Sequence, residues 1–422
     1  MNRWMYSCLF YLALPVLFWR LWRRGQKSPA YKQRISERFA LRLPAFKAGG
    51  IWVHAVSVGE SIAAAPMIRA LQKEHPELPI TITCMTPTGS ERIQAMFGDR
   101  VQHVYLPYDL PCAMSRLIDK LAPKILIVME TELWPNLVNQ CAKRSIPVVL
   151  ANARLSARSA KGYARFKRLT TPMLRQLSLI AAQTEVEAKR FEQLGARPES
   201  LLVTGSIKFD IQVEPELLAK AKIIAAEWGV ADRKVWIAAS THEGEDEIVL
   251  QAHQQLLRTY PDALLLLVPR HPERFEAVYQ LCRERGLETV RRSDGGVVKA
   301  STQVFLGDSM GELMLWYALS DIAFVGGSLV ERGGHNMLEP AALGKPVLCG
   351  PYTFNFEEIA IQMRAEGALW IVQTDVELSA LLNSYFRDSL ENAKCEIPMT
   401  DFVRRNQGAL ALLLKALNRL VL

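Results

Sequence analysis

The chain has 422 residues, half of them hydrophobic and 22% charged. That is too apolar for a disordered protein and too long for one core, so two domains of roughly 200 residues each are expected. An excess of 51 Lys and Arg over 43 Asp and Glu gives a net charge of +8, which favours anionic partners; it is diffuse and accompanies no nucleic-acid-binding module, so nucleic acid is set aside as a partner. The seven cysteines include no C-x-x-C spacing, which argues against a disulfide framework or a zinc site and fits a reducing compartment.

In chain order, the first element is an uncharged run from Trp4 to Trp19, preceded by Arg3 and followed by Arg20, Arg23 and Arg24. It is slightly short of the roughly 20 residues that span hydrocarbon, unless Leu21 and Trp22 extend it while Arg20 snorkels. Residues 1–25 therefore read as a membrane anchor, spanning once or lying in the interface. The basic cluster behind the run disfavours a cleaved signal peptide and keeps the remainder of the chain in the cytoplasm.

Short Val-, Ile- and Leu-rich runs then alternate with helical patterns. Strands are expected at 51–56, 80–84, 101–106, 125–129, 148–151, 179–182 and 201–204, with helices such as 61–74 and 185–194 between them. After a polar stretch from Asp210 to Asp232 a second set begins, at 235–239, 263–268, 304–306, 322–325 and 346–348. Strand, helix, strand repeated in this way predicts an α/β protein with two doubly wound, Rossmann-like parallel sheets facing a cleft. The expected domains are 26–210 and 211–400, with a terminal helix at 401–422 apolar enough to dock on the first.

Ligands of open parallel sheets bind beyond the carboxyl ends of the strands. There the first half carries Glu60, Glu130 and Lys208, and the second carries Pro269-Arg270, Gly307 to Glu312 and the stretch GGSLVERGGHNMLEPAALGKP from Gly326. Glycines in that stretch let backbone approach a ligand, and Asn336 is read as opening a helix whose free N–H groups suit a phosphate, with Glu339 one turn in. Ser57, Thr184, Ser240, Ser309 and Asn336 are each followed three residues on by Glu, a capping-box spacing. Glu60 and Glu339 are thus open to two readings, helix cap or functional carboxylate: Glu60 as a general base, Glu339 as an acceptor for ribose hydroxyls. Glu130 and Lys208 are either charge stabilisers or an exposed ion pair, and Arg270 either an anion grip or a solvated arginine. No Asp-x-Asp pair occurs, so metal-free chemistry is expected.

With these blocks in place, the chain resembles the bacterial 3-deoxy-D-manno-octulosonic acid (Kdo) transferases. HAVSVGE, METELWPN, ANARLS, GSIKFD, PRHPERF, GDSMGEL and GGHNMLEPAALGKP match that family in order, with Met337 standing where Leu or a smaller aliphatic residue is usual. The resemblance implies a GT-B fold, an acceptor-binding first domain, a CMP-Kdo-binding second domain, and Kdo transfer to the lipid A precursor at the cytoplasmic face of the inner membrane, without a cofactor. By position it implies Glu60 as proton acceptor and Glu130 and Lys208 as transition-state stabilisers. It also implies CMP held at Pro269 and Arg270, at Met310, Gly311 and Glu312, and at Asn336, Met337, Leu338 and Glu339. Two rivals remain: a transferase or epimerase acting on a UDP-sugar, and a non-catalytic membrane-anchored binding protein.

Overall fold

The computed structural model describes residues 1–211, 213–387 and 399–421. Cys395 and Leu422, the end of the expected last helix, lie outside the described residues. Two compact units are present: 1–210 with 407–422, and 211–406.

The first unit is built on seven strands, β1 (Ile51–His54), β2 (Ile80–Cys84), β3 (Gln102–Tyr105), β4 (Ile125–Met129), β5 (Val148–Ala153), β6 (Leu179–Ala182) and β7 (Leu201–Val203), in the order β3-β2-β1-β4-β5-β6-β7. Every pair is parallel. Alternate residues of one strand enter different cores: Ile51 and Val53 join Ile125 and Ile127 on one face, whereas Trp52 joins Leu126 and Val128 on the other. A strand buried on both faces has no polar alternation, which is why these runs read as continuously apolar.

The second unit repeats the plan with β8 (Val235–Thr241), β9 (Leu264–Pro269), β10 (Thr289–Arg291), β11 (Val304–Leu306), β12 (Ile322–Val325), β13 (Val347–Cys349) and β14 (Leu369–Ile371), ordered β10-β11-β9-β8-β12-β13-β14 and likewise parallel. Its two edge strands, β10 and β14, are absent from the sequence-derived set. Each is three residues long; β10 is half-buried with a single apolar residue, whereas β14, Leu369-Trp370-Ile371, is apolar but too short to stand out as a strand.

At the start of the chain the expected uninterrupted run is two helices, Arg3–Leu12 and Leu14–Lys27. Pro15 has no N–H to donate, the first helix ends at Ala13, and the axes bend by 52°. Among the described residues no single helix is long and apolar enough to cross a membrane, although the bent pair passes that test together. The first helix is pinned by polar contacts. Ser7 donates to Asn136 Oδ1 at 3.0 Å, Asn136 Nδ2 donates to the Asp109 carbonyl, and the Asp109 carboxylate accepts the N–H groups of Asn136 and Leu137 at 2.9 Å.

The last helix, Ala409–Val421, buries Ala409, Leu413, Leu417 and Val421, one residue per turn, in a core of the first sheet. Asp210 caps its start by accepting the N–H groups of Gly408 and Leu410 at 2.6 and 2.7 Å.

Candidate active site

Both sheets reverse strand order at one place, between β1 and β4 in the first and between β8 and β12 in the second. Loops diverging there leave a crevice at the carboxyl ends of the strands.

Beyond β1 the chain turns into the helix Val58–Glu74, capped by Ser57. The cap is reciprocal: Ser57 Oγ accepts the Glu60 N–H, while the Glu60 carboxylate accepts the Ser57 hydroxyl at 2.9 Å and the Val56 N–H at 2.8 Å. The cap reading of Glu60 holds, and capping leaves its carboxyl titratable. Burial pushes it up to about 7, against the pull of those hydrogen bonds, and the charges of Glu130 and Glu132 add to the rise.

Glu130 follows β4 with a left-handed backbone, φ 53°, and its carboxylate lies 3.2 Å from Lys208 Nζ. Lys208 sits in the turn Ile207–Phe209, whose first N–H is accepted at 3.2 Å by Asn152 Oδ1 at the end of β5. Asn152 is itself at φ 54°. Non-glycine residues in this region cost energy and concentrate at functional sites. Three buried polar atoms at these strand ends, His54 Nε2, Asn152 Nδ2 and Ser206 Oγ, have no hydrogen-bond partner among the described residues. The first unit thus gathers Glu60, Glu130 and Lys208 at one set of strand ends.

The second unit has a different character. Gly326 follows β12 where a Cβ would come 2.7 Å from the Ser240 carbonyl oxygen, so only glycine fits against the end of β8. The glycine-rich stretch was expected to offer its backbone to a ligand, but its first part is occupied. Fully buried Glu245 accepts the N–H groups of Gly327, Ser328 and Leu329 at 2.7, 3.0 and 2.9 Å, and that of His242 at 2.9 Å. The N–H groups of His335, Asn336 and Met337 have no acceptor among the described residues.

Met337 and Leu338 have fully buried side chains, so a ligand there would meet backbone. The helix expected to open at Asn336 is a five-residue turn, Leu338–Ala342, too short for an appreciable dipole. Asn336 Nδ2 donates to Glu339 Oε1 at 3.0 Å; burial raises the Glu339 carboxyl, while that bond and the Arg270 charge pull it down.

Pro269 ends β9 and is buried; Arg270 comes directly after it. Arg270 forms no ion pair among the described residues, and its charge acts on Glu339 and on His335. Four residues on, Arg274 is engaged with Asp246 and the Thr241 carbonyl. In the loop after β11, Met310 is 59% exposed and Gly311 has φ 88°. Glu312 is held by Arg292 through two 2.9 Å bonds, and Ser309 donates to it at 2.6 Å.

Three capping boxes expected from spacing do not form. Asn336 bonds the Glu339 side chain and accepts the Leu338 N–H, but the cap residue of Leu338–Ala342 is Met337. Ser309 bonds the Glu312 side chain, but Glu312 is itself the cap residue of Leu313–Leu319. Ser240, at φ 57°, precedes no helix, and the carboxylate that bonds back there belongs to Glu245.

Sequence reasoning missed Glu245 and a histidine cluster, and gave Glu132, just beyond the end of β4, no role. His242 Nε2 lies 2.9 Å from His335 Nε2 with the rings nearly parallel, and His271 meets His242 edge-on. Burial and the neighbouring cations lower His242 to about 4 and His335 to about 3, so both are neutral at pH 7. A three-residue spacing points at Glu243, whereas strand register puts Glu245 under the loop. Among the described residues no group of three or more His, Cys, Asp or Glu could hold a metal ion.

Comparison with known proteins defines the class first. The fold is similar to that of UDP-GlcNAc 2-epimerase from Neisseria meningitidis, at 17% identity and a TM-score of 0.57 over 88% of this chain and 100% of that one. Two doubly wound parallel sheets of this kind make a GT-B-like α/β fold.

Residues 33–211 match the family described as 3-deoxy-D-manno-octulosonic-acid transferase. A 3-deoxy-D-manno-octulosonic acid transferase of Haemophilus influenzae is 49% identical over 99% of this chain and 98% of its own length, and one of Bordetella pertussis is 36% identical over 87% of each. The chain belongs to the Kdo transferase family: it is a glycosyltransferase of lipopolysaccharide biosynthesis.

Proposed function

We propose that the protein transfers Kdo from CMP-Kdo to the lipid A precursor in one inverting displacement, with Glu60 as general base. The observation that carries this reading is the Glu60 carboxyl, lifted to about 7 at the reversal point of the first sheet, beside the Glu130–Lys208 pair. A base with that affinity is ionised in a large fraction of molecules at neutral pH yet still accepts a proton readily.

CMP is already a good leaving group, so the protein has only to position a sugar hydroxyl, remove its proton and steady the charge that develops. The acceptor oxygen forms a bond to the anomeric carbon as its proton passes to Glu60. The bond from that carbon to the CMP phosphate oxygen breaks, and its electron pair leaves with CMP. Lys208, paired with Glu130, steadies charge around the acceptor. In the second unit the unfilled N–H groups of His335 to Met337 and the Arg270 guanidinium suit the phosphate, and Pro269, Met310, Gly311, Glu312, Leu338 and Glu339 frame the nucleotide. No step requires a metal or cofactor.

The bent N-terminal pair is read as an interfacial anchor. Trp4, Leu12, Trp19 and Trp22 are exposed, Arg20, Arg23 and Arg24 can meet lipid phosphates, and tethering confines the search for a lipid acceptor to the surface that holds it. On this reading the enzyme works at the cytoplasmic side of the inner membrane.

Incubation with CMP-Kdo and the tetra-acylated precursor, followed by mass measurement of the products, tests the reading. The expected product carries added Kdo. Transfer from a UDP-sugar instead, or no product at all, would overturn it.

A further inference from the structure

The first unit contains a cavity that the proposed chemistry leaves unused. It has a volume of about 370 Å³ and is lined chiefly by apolar and aromatic side chains, among them Tyr6, Leu133, Tyr163, Phe166, Leu169 and Met173. That size lies within the range of small-ligand cavities. Thr131 and Glu132 complete one side. They directly follow Glu130, and the Glu132 charge acts on Glu60, so the lining shares a loop with the proposed site.

Two further observations say what chemistry would fill it. No Asp or Glu occurs between Leu133 and Thr184. Within that stretch the helix Ala157–Arg165, which supplies Tyr163 to the lining, has no buried residue. Arg158, Lys161, Arg165, Lys167 and Arg168 are all exposed, and none forms an ion pair among the described residues. An apolar cavity beside an unneutralised basic surface matches an amphiphile with acyl chains and anionic groups. The second observation is Tyr6. It belongs to the N-terminal helix, whose Trp4, Met5, Leu9 and Leu12 are exposed, so one helix both lines the cavity and presents apolar side chains to the outside.

We propose that this cavity receives one acyl chain of the lipid acceptor, while the basic residues 158–168 bind its phosphates. The inference rests on the proposed transfer to a lipid and adds where that lipid is held. Selectivity for an acylated acceptor then resides in the first unit, apart from the groups that perform the transfer.

The test compares kcat/KM of the full chain for the tetra-acylated, phosphorylated disaccharide and for the same disaccharide stripped of acyl chains. Phe166→Glu, at the half-exposed lip, should reduce the preference for the acylated form about tenfold, comparable to losing roughly two buried methylenes. Met173→Trp, which fills the cavity, should do the same. Replacing Lys161, Arg165 and Lys167 together by Ala should raise KM for both acceptors and flatten its salt dependence.

An unaltered preference in Phe166→Glu and Met173→Trp would overturn the acyl site, and an unaltered KM in the triple variant would overturn the phosphate site. If neither acceptor receives Kdo from the intact protein, the transfer reading fails instead. The cavity is then judged by a photoreactive acyl analogue of the acceptor, which should label Phe166 or Met173; labelling confined to other surfaces, as for an unselectively bound bilayer lipid, would contradict it.

Discussion

The two sheets share one plan and load their strand ends in different ways. The first unit carries carboxylates there, Glu60, Glu130 and Glu132, with Lys208 the cation paired among them, and burial keeps two of those carboxyls prone to hold a proton. The second carries two imidazoles held neutral and, among the described residues, an arginine without an ion pair and a loop with open backbone N–H groups. Proton transfer belongs to the first kind of surface and anion binding to the second. On the proposed function, a repeated scaffold would divide deprotonating an acceptor from gripping a nucleotide, each unit tuning its own strand-end electrostatics.

The comparison breaks most visibly at Glu245. Its carboxylate satisfies four backbone N–H groups under the glycine-rich loop, so Glu245→Ala leaves buried donors without partners. Destabilisation of about 3 to 5 kcal/mol is expected, read as a lower urea midpoint, and donor affinity should fall with it. A stable protein with normal donor KM would mean the loop shapes itself without that carboxylate.

A smaller effect is expected at Arg270, which has no ion pair among the described residues and whose charge acts on Glu339 and His335. Arg270→Ala should raise KM for CMP-Kdo by about 10- to 100-fold, the worth of a charge-assisted bond to phosphate, with unfolding unchanged. Equal loss of stability would make it a structural arginine like Arg274.

The sheets were legible in the sequence because parallel strands buried on both faces announce themselves as apolar runs. Edge strands β10 and β14 were not: the three half-covered residues of β10 include one apolar side chain, and the three apolar residues of β14 are too short a run to announce a strand. The N-terminal run was legible as apolar, but composition does not show where Pro15 divides it. Glu60, Glu130, Lys208 and Arg270 could be singled out as candidates because each lies within about six residues of the carboxyl end of a strand. Glu245 was missed because its partners lie more than eighty residues away, a relation that only strand order reveals. Left-handed backbone at Glu130, Asn152 and Ser240 had no signal either, since strain there is imposed by the tertiary fold on residues that are not glycine.

The central claim is that Glu60 removes the acceptor's proton, and the pH dependence of single-turnover Kdo transfer tests it most directly. The base acts ionised, so with its carboxyl at about 7 the rate should climb nearly tenfold per pH unit well below 7 and level off above it. Glu60→Gln should bind CMP-Kdo normally, lose about 10² to 10⁴ in rate, and no longer show that rise. A Glu60→Gln protein with near-normal turnover and the same profile would contradict the account.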